Sequence, residues 1–103
     1  MFARVTLLEI DTLRVSVEDA LKLYEDDVMP GLREQPGYLG VYGLATPDGK
    51  ALLMSFWDTA AHAETVENTW YSGVLDEFMT LFRSPPGRES YEVRIAEPPH
   101  QPG

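Results

Sequence analysis

Tyr38-Leu39-Gly40-Val41-Tyr42-Gly43-Leu44-Ala45-Thr46-Pro47-Asp48-Gly49-Lys50-Ala51-Leu52-Leu53-Met54-Ser55-Phe56-Trp57 is the stretch on which the fold turns: two apolar runs around one turn. Pro47 presets φ and Gly49 can take the left-handed position, so residues 38–46 and 51–57 are predicted to pair as a β-hairpin. Both strands are apolar on two faces. Tyr38, Tyr42, Leu44, Leu53 and Trp57 are expected on one side, and Leu39, Val41, Leu52, Met54 and Phe56 on the other.

Upstream, residues 2–10 are β-branched and aliphatic with two charges and read as a strand, with Arg4, Thr6, Leu8 and Ile10 on one face and Ala3, Val5, Leu7 and Glu9 on the other. Ser16-Val17-Glu18-Asp19 then offers a capping hydroxyl and first-turn carboxylates, followed by Val17, Ala20, Leu21, Tyr24, Val28 and Leu32 at helical spacing. Pro30 predicts a kink or a broken second half, and Pro36-Gly37 the end. Downstream, Asp58 and Thr59 cap a second helical region whose stripe runs Ala63, Val66, Trp70, Val74, Leu75, Phe78, Met79 and Phe82, with a break expected at Ser72-Gly73. Residues 88–97 alternate as a last strand.

The order is β-α-β-β-α-β, and two crossover helices on one sheet make a ferredoxin-like α+β sandwich the economical solution. Residues 1–97 are expected to form one domain and 98–103 a flexible tail. Two helices cover one face of a sheet. The other would expose several hundred Å² of apolar surface, which predicts a homodimer through that sheet face.

At 103 residues the chain has room for one core, and 44% hydrophobic content fills it. The absence of cysteine excludes thiolate catalysis, disulfides and cysteine-held metal. Eight basic against 17 acidic residues, net −9, argue against nucleic-acid binding. No apolar run approaches the roughly 20 residues of a membrane span, so a cytoplasmic protein is expected.

Gln35-Pro36-Gly37-Tyr38-Leu39-Gly40, Leu52-Leu53-Met54-Ser55-Phe56-Trp57-Asp58 and Thr59-Ala60-Ala61-His62-Ala63 together resemble the dimeric α+β barrel superfamily, in its antibiotic biosynthesis monooxygenase-like branch. The resemblance covers nearly the whole chain and implies a dimeric barrel. It also implies a cofactor-independent monooxygenase-like activity on a small hydrophobic aromatic or phenolic molecule. The alternative is a non-catalytic dimeric module of the same fold that binds a small ligand or a partner. Cofactor-independent members carry an asparagine four residues before the tryptophan ending the third strand. Trp57 matches that tryptophan, and Leu53 stands where the asparagine would be. The heme-degrading members need a histidine about ten residues after a tryptophan in the second helical region, and no histidine follows Trp70 before His100.

Within the expected domain His62 alone has an ordinary pKa near neutrality, which makes it the candidate general base. Tyr42 is the candidate hydrogen-bond donor, Trp57 and Trp70 are candidate stacking walls, and Tyr38 would floor the same cavity across Gly40. Arg83 is a candidate for an anionic substrate. Glu64, Glu67, Asp76 and Glu77 read as a solvated helix face, and no second histidine stands at ligand spacing from His62, so neither a metal nor a cofactor is expected.

Overall fold

The computed structural model describes residues 1–99, for residues 67, 68 and 72 the backbone alone. Strand β1 (Phe2–Glu9) leads to α1 (Val17–Leu23), a π-helical turn (Tyr24–Val28) and α2 (Met29–Arg33). The hairpin β2 (Tyr38–Ala45) and β3 (Lys50–Trp57) comes next, then α3 (Ala60–Val66), a second π-helical turn (Glu67–Tyr71), α4 (Ser72–Asp76), a short 3₁₀ turn (Met79–Leu81) and β4 (Gly87–Glu92). The described strands form one sheet in the order β2-β3-β1-β4, every neighbour antiparallel. That is the ferredoxin-like order, and the fold is α+β as expected.

Local chemistry explains the element starts. The Ser16 hydroxyl accepts from the Asp19 N–H (3.1 Å), and Glu18 and Asp19 lie in the positive first turn of α1. Thr59 does the same for α3, its Oγ1 accepting from the His62 N–H (3.1 Å). Pro30 stands in the first turn of α2, where its missing N–H costs nothing. The break therefore falls just before it, in the Tyr24–Val28 turn. In the hairpin turn the Thr46 hydroxyl bonds Asp48 and accepts from the Lys50 N–H (3.1 Å).

The core lies between the helices and one sheet face: Val28, Leu32, Trp57, Ala63, Val66, Tyr71 and Leu75, with Tyr24, Tyr38, Trp70, Val74 and Phe78 packed against it. Three expectations need correction. The irregularity in the second helical region is the π-helical turn Glu67–Tyr71, and Ser72 and Gly73 lie inside α4. The extra residue carries Tyr71, and with it Leu75, back onto the core after Val66. The last strand stops at Glu92 instead of residue 97, because its partner β1 begins opposite it: Phe2 pairs with Glu92, and the Val93 N–H to Met1 carbonyl bond (2.9 Å) is the last rung. Beyond it Ile95 is 93% exposed. Residues 100–103 of the expected tail lie outside the described residues.

The third correction concerns the two faces of the hairpin. Tyr38 pairs with Trp57 but Gly40 pairs with Phe56, so Leu39 is an extra residue, a β-bulge. A one-residue slip exchanges the faces of everything after it. Tyr42 consequently stands opposite Met54, and Gly43 opposite Leu53. Tyr38 shares the helix-covered face with Trp57, edge-on to it at 5.6 Å. Tyr42 lies on the open face, edge-on to Phe56 at 5.7 Å.

Candidate functional site

The helix-covered face of the sheet is not uniformly apolar. Burial alternates strictly along β3, with Ala51, Leu53, Ser55 and Trp57 buried, and the residues directly opposite them share that face. Arg4 of the central strand β1 stands between Ser55 on β3 and Ser90 on β4, and Thr6 between Leu53 and Arg88. Thr6 and Ser55 are buried, Arg4 and Arg88 half-buried. Two of the chain's eight basic residues thus face the interior in a protein of net charge −9. Both arginines also interact within the protein. Beside them the Trp57 indole N–H donates to Ser55 Oγ (2.9 Å), which satisfies the one polar atom of a fully buried tryptophan.

Opposite this strip the helices bring phenols. Tyr24 opens the first π-helical turn and Tyr71 closes the second, and their hydroxyls meet at 2.9 Å. Burial first, then the neighbouring Tyr71 and Tyr38 phenols, holds the Tyr24 hydroxyl far above the ordinary tyrosine range, so it is neutral across the physiological range. Burial likewise raises Tyr38, against a smaller opposing effect of Arg33. Trp70 packs on α2 at Gly31, where any Cβ would run into its indole ring.

The residues singled out in the sequence do not converge on one cavity. Trp57 is in the core, Tyr38 packs against it, and Trp70 is half-buried between the helical regions. Tyr42 is on the opposite side of the sheet. His62 stands in the first turn of α3 with its ring 42% exposed, its Nδ1 2.7 Å from Asp58 Oδ1 and its ring against Gly37, whose φ is +81°. The Asp58 N–H also donates to the Gly37 carbonyl (3.0 Å). This histidine and aspartate tie the turn before β2 to the end of β3. The bond from His62 is the largest cause of a lowered Asp58 pKa.

Arg83 lies at the other end of the sheet, in a shallow hollow of about 590 Å³ with Asp11, Leu13, Arg14, Thr80 and Phe82. Its guanidinium is 3.9 Å from Glu9, and that of Arg14 is 3.3 Å from Asp11, so each charge has a carboxylate beside it. The open face of the sheet carries a larger apolar groove of about 970 Å³, lined by Val5, Leu7, Leu39, Tyr42, Met54 and Phe56 among others and bounded by residues 91–99. Leu7 is 54% exposed there. Among the described residues no three side chains of metal-ligating type come together, and no helix is long and apolar enough to cross a membrane.

In the sequence Arg4 is a charge in the alternation of an apolar strand, and only the strand order shows that this strand is central and that its Arg4 face is the covered one. Tyr71 lies outside the helical stripe because the π-helical turn that brings it inward has no sequence signature of its own.

No protein-family model matches the chain, and no curated protein matches it. Solved structures do. A protein of unknown function from Nitrosomonas europaea is 20% identical, with 97% of this chain and 95% of that one covered, at a TM-score of 0.73. The monooxygenase ActVA-Orf6 of Streptomyces coelicolor, solved in complex with nanaomycin D, is 20% identical over 96% and 92% of the two chains, at a TM-score of 0.75. SnoaB, a cofactor-independent oxygenase from Streptomyces nogalater, is 10% identical over 95% and 97%, at a TM-score of 0.74. A protein described as an antibiotic biosynthesis monooxygenase from Nitrosomonas europaea is 16% identical over 92% and 100% of the two chains, at a TM-score of 0.73, and the chain has the fold of the antibiotic biosynthesis monooxygenase-like proteins.

Proposed function

We propose that this chain is a cytoplasmic homodimer, a cofactor-independent monooxygenase-like protein acting on a small hydrophobic phenolic molecule held at the helix-covered face of its sheet. The observation that carries the reading is the polar strip there: Arg4 flanked by Ser55 and Ser90, on the sheet face that also carries Trp57 and its aromatic neighbours. A cation and hydroxyls among aromatics suit a flat apolar molecule that becomes an anion. The fold likeness to a monooxygenase bound to nanaomycin D and to a cofactor-independent oxygenase supports the same class. The dimer is supported by the other face, where Leu7, Leu39, Tyr42 and Leu44 are exposed apolar side chains at the open side of the sheet.

An ionised phenol can itself reduce O₂. One oxygen atom enters the ring to give the quinone, the other leaves as water, and all four electrons come from the substrate. Arg4 stabilises the oxyanion and lowers the pKa of the bound phenol, while the neighbouring hydroxyls hold its orientation and the aromatic neighbours of Trp57 keep water out. Leu53 and Trp57 supply apolar wall. His62, tied to Asp58 and Gly37, takes no part in this reading.

The test uses 1,5-dihydroxynaphthalene under ¹⁸O₂. Expected is quinone formation faster than in buffer, with one labelled oxygen per quinone, and a fall of about 10²-fold in Arg4→Met, the scale of losing one oxyanion partner. One specific observation favours a second reading, the non-catalytic binding module: Leu53 is buried on the covered face and Phe78 packs against the core, so the chain's own side chains take up space there. Tight binding of the naphthol with no acceleration would select that module. Neither binding nor turnover would overturn both.

A further inference from the structure

The last strand carries a pattern that outruns its pairing. Tyr91, Val93 and Ile95 alternate as one face of a strand, yet β4 pairs with β1 only as far as Glu92, and the bond from the Val93 N–H to the Met1 carbonyl is the last rung. Tyr91 stands opposite Ala3 on the open face, so the same alternation carries Ile95 to that side. There Ile95 lines the apolar groove while 93% exposed, which means that its own chain leaves it almost bare. Pro98 and Pro99 follow, and a proline holds the residue before it in an extended conformation, so residues 93–97 form an arm that does not turn back as a helix. An arm already extended loses little freedom on docking.

The area of the open face points to what the arm does. Leu7, Leu39, Tyr42, Leu44 and Tyr91 are each about half exposed there. At roughly 200 Å² per residue they offer about 500 Å² per copy, short of the about 800 Å² per partner that a stable specific interface buries. Ile95 adds about 200 Å² and brings the face into the range of about 600–1,000 Å² per partner. The arm is also long enough, since packed sheets lie about 10 Å apart and five extended residues span about 16 Å. We infer that residues 93–97 of each copy reach across to a second copy of the chain and pack Ile95 on its open face, an inference that rests on the dimer reading. Two-fold symmetry makes the exchange mutual, so both Ile95 side chains are buried and each groove is closed by the other copy's arm. The alternation that runs past Glu92 is then a strand face whose cover comes from the second molecule.

The test is sedimentation equilibrium of the full chain as native protein, Ile95→Asp and Leu13→Asp. Leu13 is 92% exposed beside Arg14, away from the groove, so the two variants add the same charge at equally bare positions. Neither side chain holds its own chain together, so far-UV circular dichroism should be unchanged in both. Two buried aspartates per dimer should raise the dimer Kd about 10²-fold or more in Ile95→Asp, while Leu13→Asp should stay within about threefold. An unchanged Kd in Ile95→Asp would overturn the inference, and so would equal weakening in both variants, which would trace the effect to net charge. In either case a native dimer that Met54→Lys dissociates keeps the open-face reading and loses only the arm. A native monomer defeats the dimer reading, and this inference with it.

Discussion

Gly31→Ala sets two effects of known size against each other. In a helix interior alanine is favoured over glycine by about 1 kcal/mol, and the φ of Gly31 is an ordinary helical one, so on an open surface the change would stabilise. Gly31 is not open. Its Cβ would overlap the indole of Trp70, with Cη2 at 2.9 Å and Cε2 at 3.2 Å in addition to a still closer Cζ2. The indole is a flat, rigid group that is also set edge-on to Tyr71, centroids 6.2 Å apart. Overpacking against such a group costs roughly 1–3 kcal/mol, so the net expectation is a destabilisation of about 1 kcal/mol. For a chain of this size that is a fall of about 4–8 °C in Tm, read by circular dichroism. In a Trp70→Ala background the clash is gone and the propensity gain should appear alone, raising Tm. The coupling between the two substitutions should then reach about 1 kcal/mol or more. A rise in Tm on Gly31→Ala in the native background would refute the reasoning, because it would mean that Trp70 yields freely and the two helical regions are not packed through it.

The dimer reading predicts sedimentation as a dimer at micromolar concentration, and Met54→Lys, at the middle of the open face between Val5 and Tyr42, should shift the chain to monomer. In an isologous interface the lysine would be buried twice; a native monomer, or a dimer indifferent to the lysine, would count against it. Asp58 makes a pH prediction. Its carboxyl is lowered in the folded state, first by the hydrogen bond from His62, so the stability it contributes is present above the unfolded value near pH 4 and is lost as pH falls through the lower folded one. Asp58→Asn should therefore be less stable than the native protein at pH 6, with the gap closing below about pH 4; a gap independent of pH would refute the assignment.

Much of the fold is legible in the residue pattern, because pattern and fold agree where the chain obeys simple periods. The caps Ser16 and Thr59, the hairpin turn and the faces of β1 come from residue type and alternation alone. The site is less legible, and the reason lies in a few single-residue irregularities. The two π-helical turns each add one residue to a helix, which takes Tyr71 out of the expected stripe and puts it in the core. The bulge at Leu39 adds one residue to a strand, which moves Tyr42 to the opposite side of the sheet from Trp57. An inserted residue leaves composition unchanged and reverses every face assignment beyond it, so a period of two read across 38–44 necessarily gives the wrong partners.

The bulge can be tested directly at Gly40. Its φ is +156°, toward the edge of what a residue with a side chain adopts, yet a Cβ built there meets nothing within 4 Å. Gly40→Ala therefore isolates the backbone: there is no clash to relieve and no cavity to fill. If the bulge conformation is what holds Tyr42 and Leu44 on the open face, alanine should cost about 1 kcal/mol or more in chemical denaturation with an unchanged m-value. The loss would come with weaker self-association, since the open face is the proposed dimer surface and the register of its β2 edge depends on the same residue. Alanine tolerated without loss would mean that the glycine conformation is not required at this position. The face exchange at Leu39 would then need another cause, and the chemical separation between a phenol-lined interior and an apolar exterior would no longer rest on a single glycine.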